Sequence, residues 1–99
     1  MLLDLNCDLG EGWAFDEPLM GLITSANISC GFHAGGPAAS HAALKLAARH
    51  GVHVGAHPGY PDREHFGRRE LDLSENEVFE CCLYQVGALH ALAKSVGVA

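Results

Sequence analysis

The chain has 99 residues, enough for one domain with a modest core, since a domain of this size buries only ~60–65% of the surface its unfolded chain exposes. A hydrophobic content of 48% excludes disorder, and a net charge of −6 with scattered basic residues excludes a nucleic-acid face or a basic membrane-surface helix. No run approaches the ~20 apolar residues of a membrane span, and Asp4 stands where a signal peptide needs an apolar run, so the expected location is the cytoplasm.

Taken in chain order, the pattern predicts three strand-then-helix units. The first strand is expected from Leu2 to Asp8, followed by the turn Leu9-Gly10-Glu11-Gly12. Asp16 is the expected N-cap of a short helix ending near Thr24. The second strand is expected from Ala26 to about Phe32, leading through Ala34-Gly35-Gly36 into a helix that starts at Pro37. Ala39, Ala43, Leu46, Ala47 and His50 form one face of that helix, and Gly51 ends it. The third strand is expected from Val52 to about His57. A charged, turn-rich loop then runs from Pro58 to Leu73. Ser74-Glu75-Asn76-Glu77 is a capping box. It opens a last helix with the stripe Val78, Cys82, Val86, Leu89, Ala93 and Val96, stopping at Gly97.

Alternating strands and helices imply parallel strands joined by crossover helices, an α/β fold. Strands of such a sheet are usually apolar on both faces. These three each have one apolar and one polar face at period two. Leu3, Leu5 and Cys7 oppose Asp4, Asn6 and Asp8. Ala26, Ile28 and Cys30 oppose Asn27, Ser29 and His33. Val52, Val54 and Ala56 oppose His53 and His57. The apolar faces should meet the helices, and the polar faces should line a shared interior, as in a barrel lumen. A ring of polar groups there must be hydrogen-bonded, wet or bound to something.

Ligands of parallel β/α folds sit beyond the carboxyl ends of the strands. The polar residues nearest those ends are Asp8, His33 and His57. One acid and two imidazoles can hold a divalent metal or serve as an acid–base set, and they can equally form a network that orders loops. Asp4 and His53 lie deeper and suit structural hydrogen bonds. Asn6 and Asn27 can orient a neighbour or a substrate amide. The glycine turn 30–37 meets a helix N-terminus, where free N–H groups can bind an anion, although it is no Walker A loop. His57-Pro58-Gly59-Tyr60-Pro61-Asp62 is a second constrained loop that fixes His57 and Asp62. Arg68 and Arg69 can hold a carboxylate or phosphate, or else pair with Glu70 or Asp72. Trp13, Phe15 and Phe32 can wall a pocket or fill the core. His41, His50, His65 and His90 read as surface or capping residues. The four cysteines form neither a zinc pattern nor a disulfide framework, and Cys7 and Cys30 fall on apolar faces, so no thiolate nucleophile is expected.

Five segments together carry a resemblance to a known family. They are Asp4-Leu-Asn-Cys-Asp-Leu-Gly-Glu11, Ser25-Ala-Asn-Ile-Ser-Cys-Gly-Phe-His-Ala-Gly35, Gly55-Ala-His-Pro-Gly-Tyr-Pro-Asp62, Phe66-Gly-Arg-Arg69 and Tyr84-Gln85. In these the chain resembles the LamB/YcsF family over essentially its whole length. Family members are about two and a half times longer, in line with the ~250 residues of a complete barrel. The resemblance therefore implies that residues 1–99 are the amino-terminal part, about three β/α units, of a single TIM-like barrel domain of the glycoside hydrolase/deacetylase type. Two positions depart from the family: Gly36 stands where Asp is usual, and His65 where Gly is usual.

The resemblance also implies a reaction, the ATP-dependent opening of the lactam ring of 5-oxoproline to L-glutamate by one component of a multi-subunit 5-oxoprolinase. Its partners would be two other subunits, and magnesium would arrive with the nucleotide. On that reading Asp8, His33 and His57 are the catalytic candidates and also a candidate set for a directly bound divalent metal. Asn6, Glu11, Asn27, Asp62, Arg68 and Arg69 are the candidates for substrate or phosphate. The competing expectations are a metal-dependent deacetylase or amide hydrolase on a similar barrel, and a non-catalytic fragment whose exposed strand edges would allow a homo-oligomer.

Overall fold

The structure, a computed structural model, describes residues 2–98. Its elements are β1 (Asn6–Leu9), α1 (Asp16–Met20), β2 (Ser25–Ser29), α2 (Pro37–His50), β3 (His53–His57) and α3 (Glu75–Ser95). The strands form one parallel sheet in the order β1-β2-β3, as sequential crossover units dictate. Three parallel strands with helices on one face are a partial TIM-like barrel. Among the described residues, no helix is long and apolar enough to cross a membrane.

The register places Asn6 beside Ser25 and Ser25 beside His53. One step on, Asp8, Asn27 and Gly55 are aligned, and Ser29 then pairs with His57. These residues share one face of the sheet, as the period-two pattern predicts. Cys7, Leu9, Ala26, Ile28 and Val54 share the other face and pack against the helices. The core is built from Leu9, Met20, Ile23, Ala26, Ile28, Ala43, Leu44, Ala47, Val52, Leu89 and Ala93.

Several expected boundaries shift. β1 starts at Asn6, not Leu2, and Leu3 is well exposed. Leu5 still ties to β2, because its carbonyl accepts from the Thr24 N–H and its N–H donates to Thr24 Oγ1. The Asp4 carboxylate accepts from Thr24 Oγ1 at 2.6 Å and Ser25 Oγ at 2.8 Å, so it braces the start of the sheet. β2 ends at Ser29, and His33 reaches the site on a bend rather than on a strand. Asp16 is the first residue of α1, not its N-cap; Phe15 is the cap, and Asp16 Oδ2 accepts from the Gly10 N–H at 3.0 Å. The acid that looks like a cap instead closes the β1–α1 turn.

Helix ends follow the sequence more closely than helix faces do. α2 begins at Pro37 and stops at Gly51, which is left-handed. The capping box at Ser74 and Glu77 makes both of its bonds. The buried residues of α2 are Ser40, Ala43, Leu44 and Ala47, whereas His50 is exposed. Ser40 is tolerated inside because its hydroxyl donates to the Ser29 carbonyl at 2.6 Å. The buried residues of α3 are Gln85, Leu89 and Ala93, so Cys82 and Val86 are turned outward. Phe79, Leu83 and Tyr84 are exposed as well.

Candidate active site at the strand ends

The polar floor of the site is a ladder of amides across the sheet. Asn6 Nδ2 donates to Ser25 Oγ at 3.0 Å. Asn27 Nδ2 donates to Asn6 Oδ1 at 3.2 Å and to Asp8 Oδ1 at 3.3 Å. Asn27 therefore orients Asp8. The matching position on β3 is Gly55, where a Cβ would stand 2.9 Å from Asn27 Oδ1, so the absent side chain leaves room for the amide.

Above this floor three residues converge from the ends of three strands. Glu11 follows β1, His33 follows β2 and His57 ends β3. His33 Nε2–H donates to Glu11 Oε2 at 2.9 Å, and both side chains are nearly buried, at 3% and 9% exposure. His57 Nδ1 lies 3.8 Å from Glu11 Oε2 and 3.8 Å from Asp8 Oδ1. The two imidazoles lean on one another with centroids 4.7 Å apart. His57 Nδ1 and His33 Nδ1 are shielded from solvent and find no hydrogen-bond partner among the described residues. One donor atom from each of Glu11, His33 and His57 lies within 4.8 Å of the others. The closest acid is thus Glu11, expected only as a substrate or phosphate contact, while Asp8 stands half-exposed at the edge of the cluster.

Two close approaches hold this arrangement. Gly35 lets the β2–α2 turn press against β1, because a Cβ there would collide with the Gly10 carbonyl. Gly59 lies flat over His33, where a Cβ would meet His33 Nδ1 at 2.5 Å. Gln85 fixes Gly59 from α3. Its Oε1 accepts from the Gly59 N–H and its Nε2 donates to the Gly59 carbonyl, both at 2.9 Å.

A cleft of about 150 Å3 opens between these loops, lined by His33, His57, Phe66 and Arg68 among others. Phe66 adopts φ 58°, a backbone region that β-carbon residues rarely occupy, and sets its ring edge-on to His33 at 5.3 Å. Arg68 extends its guanidinium over Phe66, 5.1 Å from the ring centroid. Arg69 and Asp62 do not join the cleft. Asp62 is buried in the loop, with Oδ1 3.3 Å from His65 Nδ1 and 3.4 Å from the Arg69 guanidinium, and its carbonyl accepts from the Gly67 N–H. Burial alone would raise the Asp62 carboxyl; the His65 hydrogen bond and the Arg69 charge outweigh it and hold the group below the ordinary carboxylate range. His65 so supplies a partner for Asp62.

Arg63 is the site residue that sequence reasoning missed, while Phe66 and Gln85 stand in segments that carry the family resemblance but have no role assigned there. Arg63 spans the β2–α2 turn, donating to the Gly31 carbonyl at 2.8 Å and the Gly35 carbonyl at 2.7 Å. Nothing local marks it. Gln85 does carry a signal, being an amide on the apolar side of an amphipathic helix. Trp13 and Phe15, expected to wall a pocket or fill the core, are mostly exposed, and Phe32 stacks on Tyr84 at 5.8 Å. Cys30 is half-buried, and that burial pushes its thiol up, which opposes a nucleophilic role.

The α2 N-terminus lies beside the cluster. Gly36 supplies no side-chain cap, and a groove of about 370 Å3 there is bounded by Glu11, Gly35, Pro37 and Arg63. The position is extended with open space around it, so an Asp side chain would fit there.

Residues 3–99 match the LamB/YcsF family. The chain is 56% identical over 96 residues to the A subunit of 5-oxoprolinase from Neisseria meningitidis serogroup C (strain 053442), with the same identity to that of serogroup B (strain ATCC BAA-335 / MC58). That alignment covers 97% of this chain and 39% of the relative, so the chain spans about two fifths of the curated relatives it matches. It also superposes on the crystal structure of a lactam utilization protein from Thermus thermophilus with a TM-score of 0.94 and 48% identity, covering 100% of this chain and 42% of that one.

Proposed function

Because the chain belongs to the LamB/YcsF family, we propose that it is part of the A subunit of a 5-oxoprolinase, which opens the lactam ring of 5-oxoproline to L-glutamate with ATP and two partner subunits. The observation that carries this reading is the convergence of Asp8, Glu11, His33 and His57, with Arg68 at the rim, in a chain 56% identical to proteins of that name.

A five-membered lactam is a stable amide that water attacks slowly. ATP, arriving with magnesium, supplies a phosphoryl group to the lactam oxygen and so makes the ring carbon attackable. Overall, one water adds across the ring C–N bond, the nitrogen leaves as the amine of glutamate, and a second water takes up the phosphoryl group, so that ATP becomes ADP and phosphate. Asp8 is exposed enough to take a proton from water and is oriented by Asn27. His57, 3.8 Å from Asp8 and beyond direct hydrogen-bond reach, lines the path by which water returns that proton to the departing nitrogen. His33 faces the activated oxygen and is steadied by Glu11. Arg68 takes the substrate carboxylate, and the uncapped α2 N-terminus receives phosphate. Asn6 holds the amide ladder. Asp62 and Arg69 brace the loop that carries Arg68 and do not touch substrate. Four free thiols suit the reducing cytoplasm, where we place the protein.

The test is ADP release that depends on 5-oxoproline, measured with both partner subunits present. Asp8→Asn should lower turnover about 100-fold, the usual scale of one general base. Undiminished turnover would remove Asp8 from that role. The Glu11–His33–His57 donor set favours a second reading, a metal-dependent amide hydrolase. That enzyme would cleave its amide without ATP and stop when a chelator is added.

A further inference from the structure

We infer that Glu11 Oε2, His33 Nε2 and His57 Nδ1 form a binding site for one divalent transition-metal ion of the zinc class, with Asp8 as an outer carboxylate. Hydrogen bonding explains only one edge of this triangle, the 2.9 Å contact of His33 with Glu11. The His57 edge, at 3.8 Å, is too long for a hydrogen bond. Yet His57 Nδ1 is shielded from water, has no hydrogen-bond partner among the described residues and faces two carboxylates at the same distance. Ligands each ~2.0–2.2 Å from a zinc-class ion stand ~3–4 Å from one another. One ion bound by the three donors, which lie within 4.8 Å of one another, would satisfy the orphaned nitrogen and both Glu11 edges with at most a small inward shift of the imidazoles.

The donor chemistry selects the metal. Two imidazole nitrogens and one carboxylate oxygen on one side of an ion suit zinc, cobalt, manganese or iron, whereas magnesium takes oxygen ligands and keeps its waters. The three donors come from three different strand ends, on turns held by Gly35, Gly59 and Gln85, so the site is preassembled. The cleft lined by His33, His57, Phe66 and Arg68 adjoins the cluster and leaves the remaining coordination positions to water or to a carbonyl or anionic oxygen. The ion would be resident and distinct from magnesium carried by a nucleotide, and it does not depend on the lactam reading.

The experiment strips the purified protein with a chelator, reloads it with zinc or cobalt(II), desalts it and counts the metal by mass spectrometry. About one ion per chain should remain, and the cobalt form should show d–d absorption of a nitrogen–oxygen site. Glu11→Gln and His57→Gln should each weaken binding about 100-fold or more, with circular dichroism unchanged. Asp8→Asn should weaken it by less than a tenth of that factor. His57 is a third exposed, so its replacement tests the site without emptying a core position. A folded parent protein that retains no ion overturns the site, as does a His57→Gln variant with undiminished affinity. Metal retention is read without lactam or nucleotide. Retention without lactam-dependent ADP release would sink only the proposed reaction, and ADP release from a protein that holds no ion would sink only the metal site.

Discussion

Asp62 illustrates how a single side chain changes role once its neighbours are known. As a sequence element it stands in a proline–glycine loop and looks poised to touch substrate. In the fold it is buried, and its charge is spoken for by His65 and Arg69. A carboxyl whose pKa is lowered on folding stabilises the native state above its unfolded value and loses that contribution as pH falls through the folded value. Stability contributed by Asp62 is thus present at neutral pH and fades below about pH 4, the ordinary carboxylate range. Asp62→Asn should lower the urea midpoint at neutral pH and converge with the parent in acid. Parallel curves across the whole pH range would show that Asp62 is not ionised in the native loop. Glu11 makes the opposite move. Its turn position suggests a peripheral contact, yet it lies against both imidazoles.

At the scale of elements, α3 is the informative case. Its apolar residues are spread so widely around the helix that periodicity alone selects the stripe through Cys82 and Val86, and the fold turns both outward. Gln85 takes the inner face because the Gly59 peptide satisfies its amide at both ends. Polar residues on buried helix faces are legible only when their partner is known, and here the partner lies 26 positions away. Gln85→Leu should keep the volume but strand the Gly59 N–H and carbonyl, a loss of about 2 kcal/mol by urea denaturation. Such a variant should also loosen Gly59 over His33 and raise hydrogen exchange in the Pro58–Gly67 loop. Unchanged stability would mean that water replaces the amide at no cost.

Over the whole molecule, the sheet has one face covered by helices and the other open, and α3 presents Phe79, Leu83 and Tyr84 to solvent. Three parallel strands cannot close a barrel, so apolar surface of this kind is left without a cover within the described residues. The 99-residue chain should therefore self-associate, with a sedimentation coefficient that rises with concentration and falls back in Leu83→Glu. A monomer at every concentration would show that this surface is harmless. The amino-acid sequence by itself determined the parallel β/α order, the polar and apolar faces of each strand, the start at Pro37, the stop at Gly51 and the capping box at Ser74. Each of these follows from covalent geometry and hydrogen bonds within a few residues, where a period of two or a cap is a local fact. Only the tertiary structure decided that Glu11 meets His33 across 22 positions, that Arg63 spans the turn at Gly31 and Gly35, and that Asp62 turns inward to Arg69. Those contacts depend on how loops from different strand ends are folded against each other, and neither spacing nor residue type carries that distance.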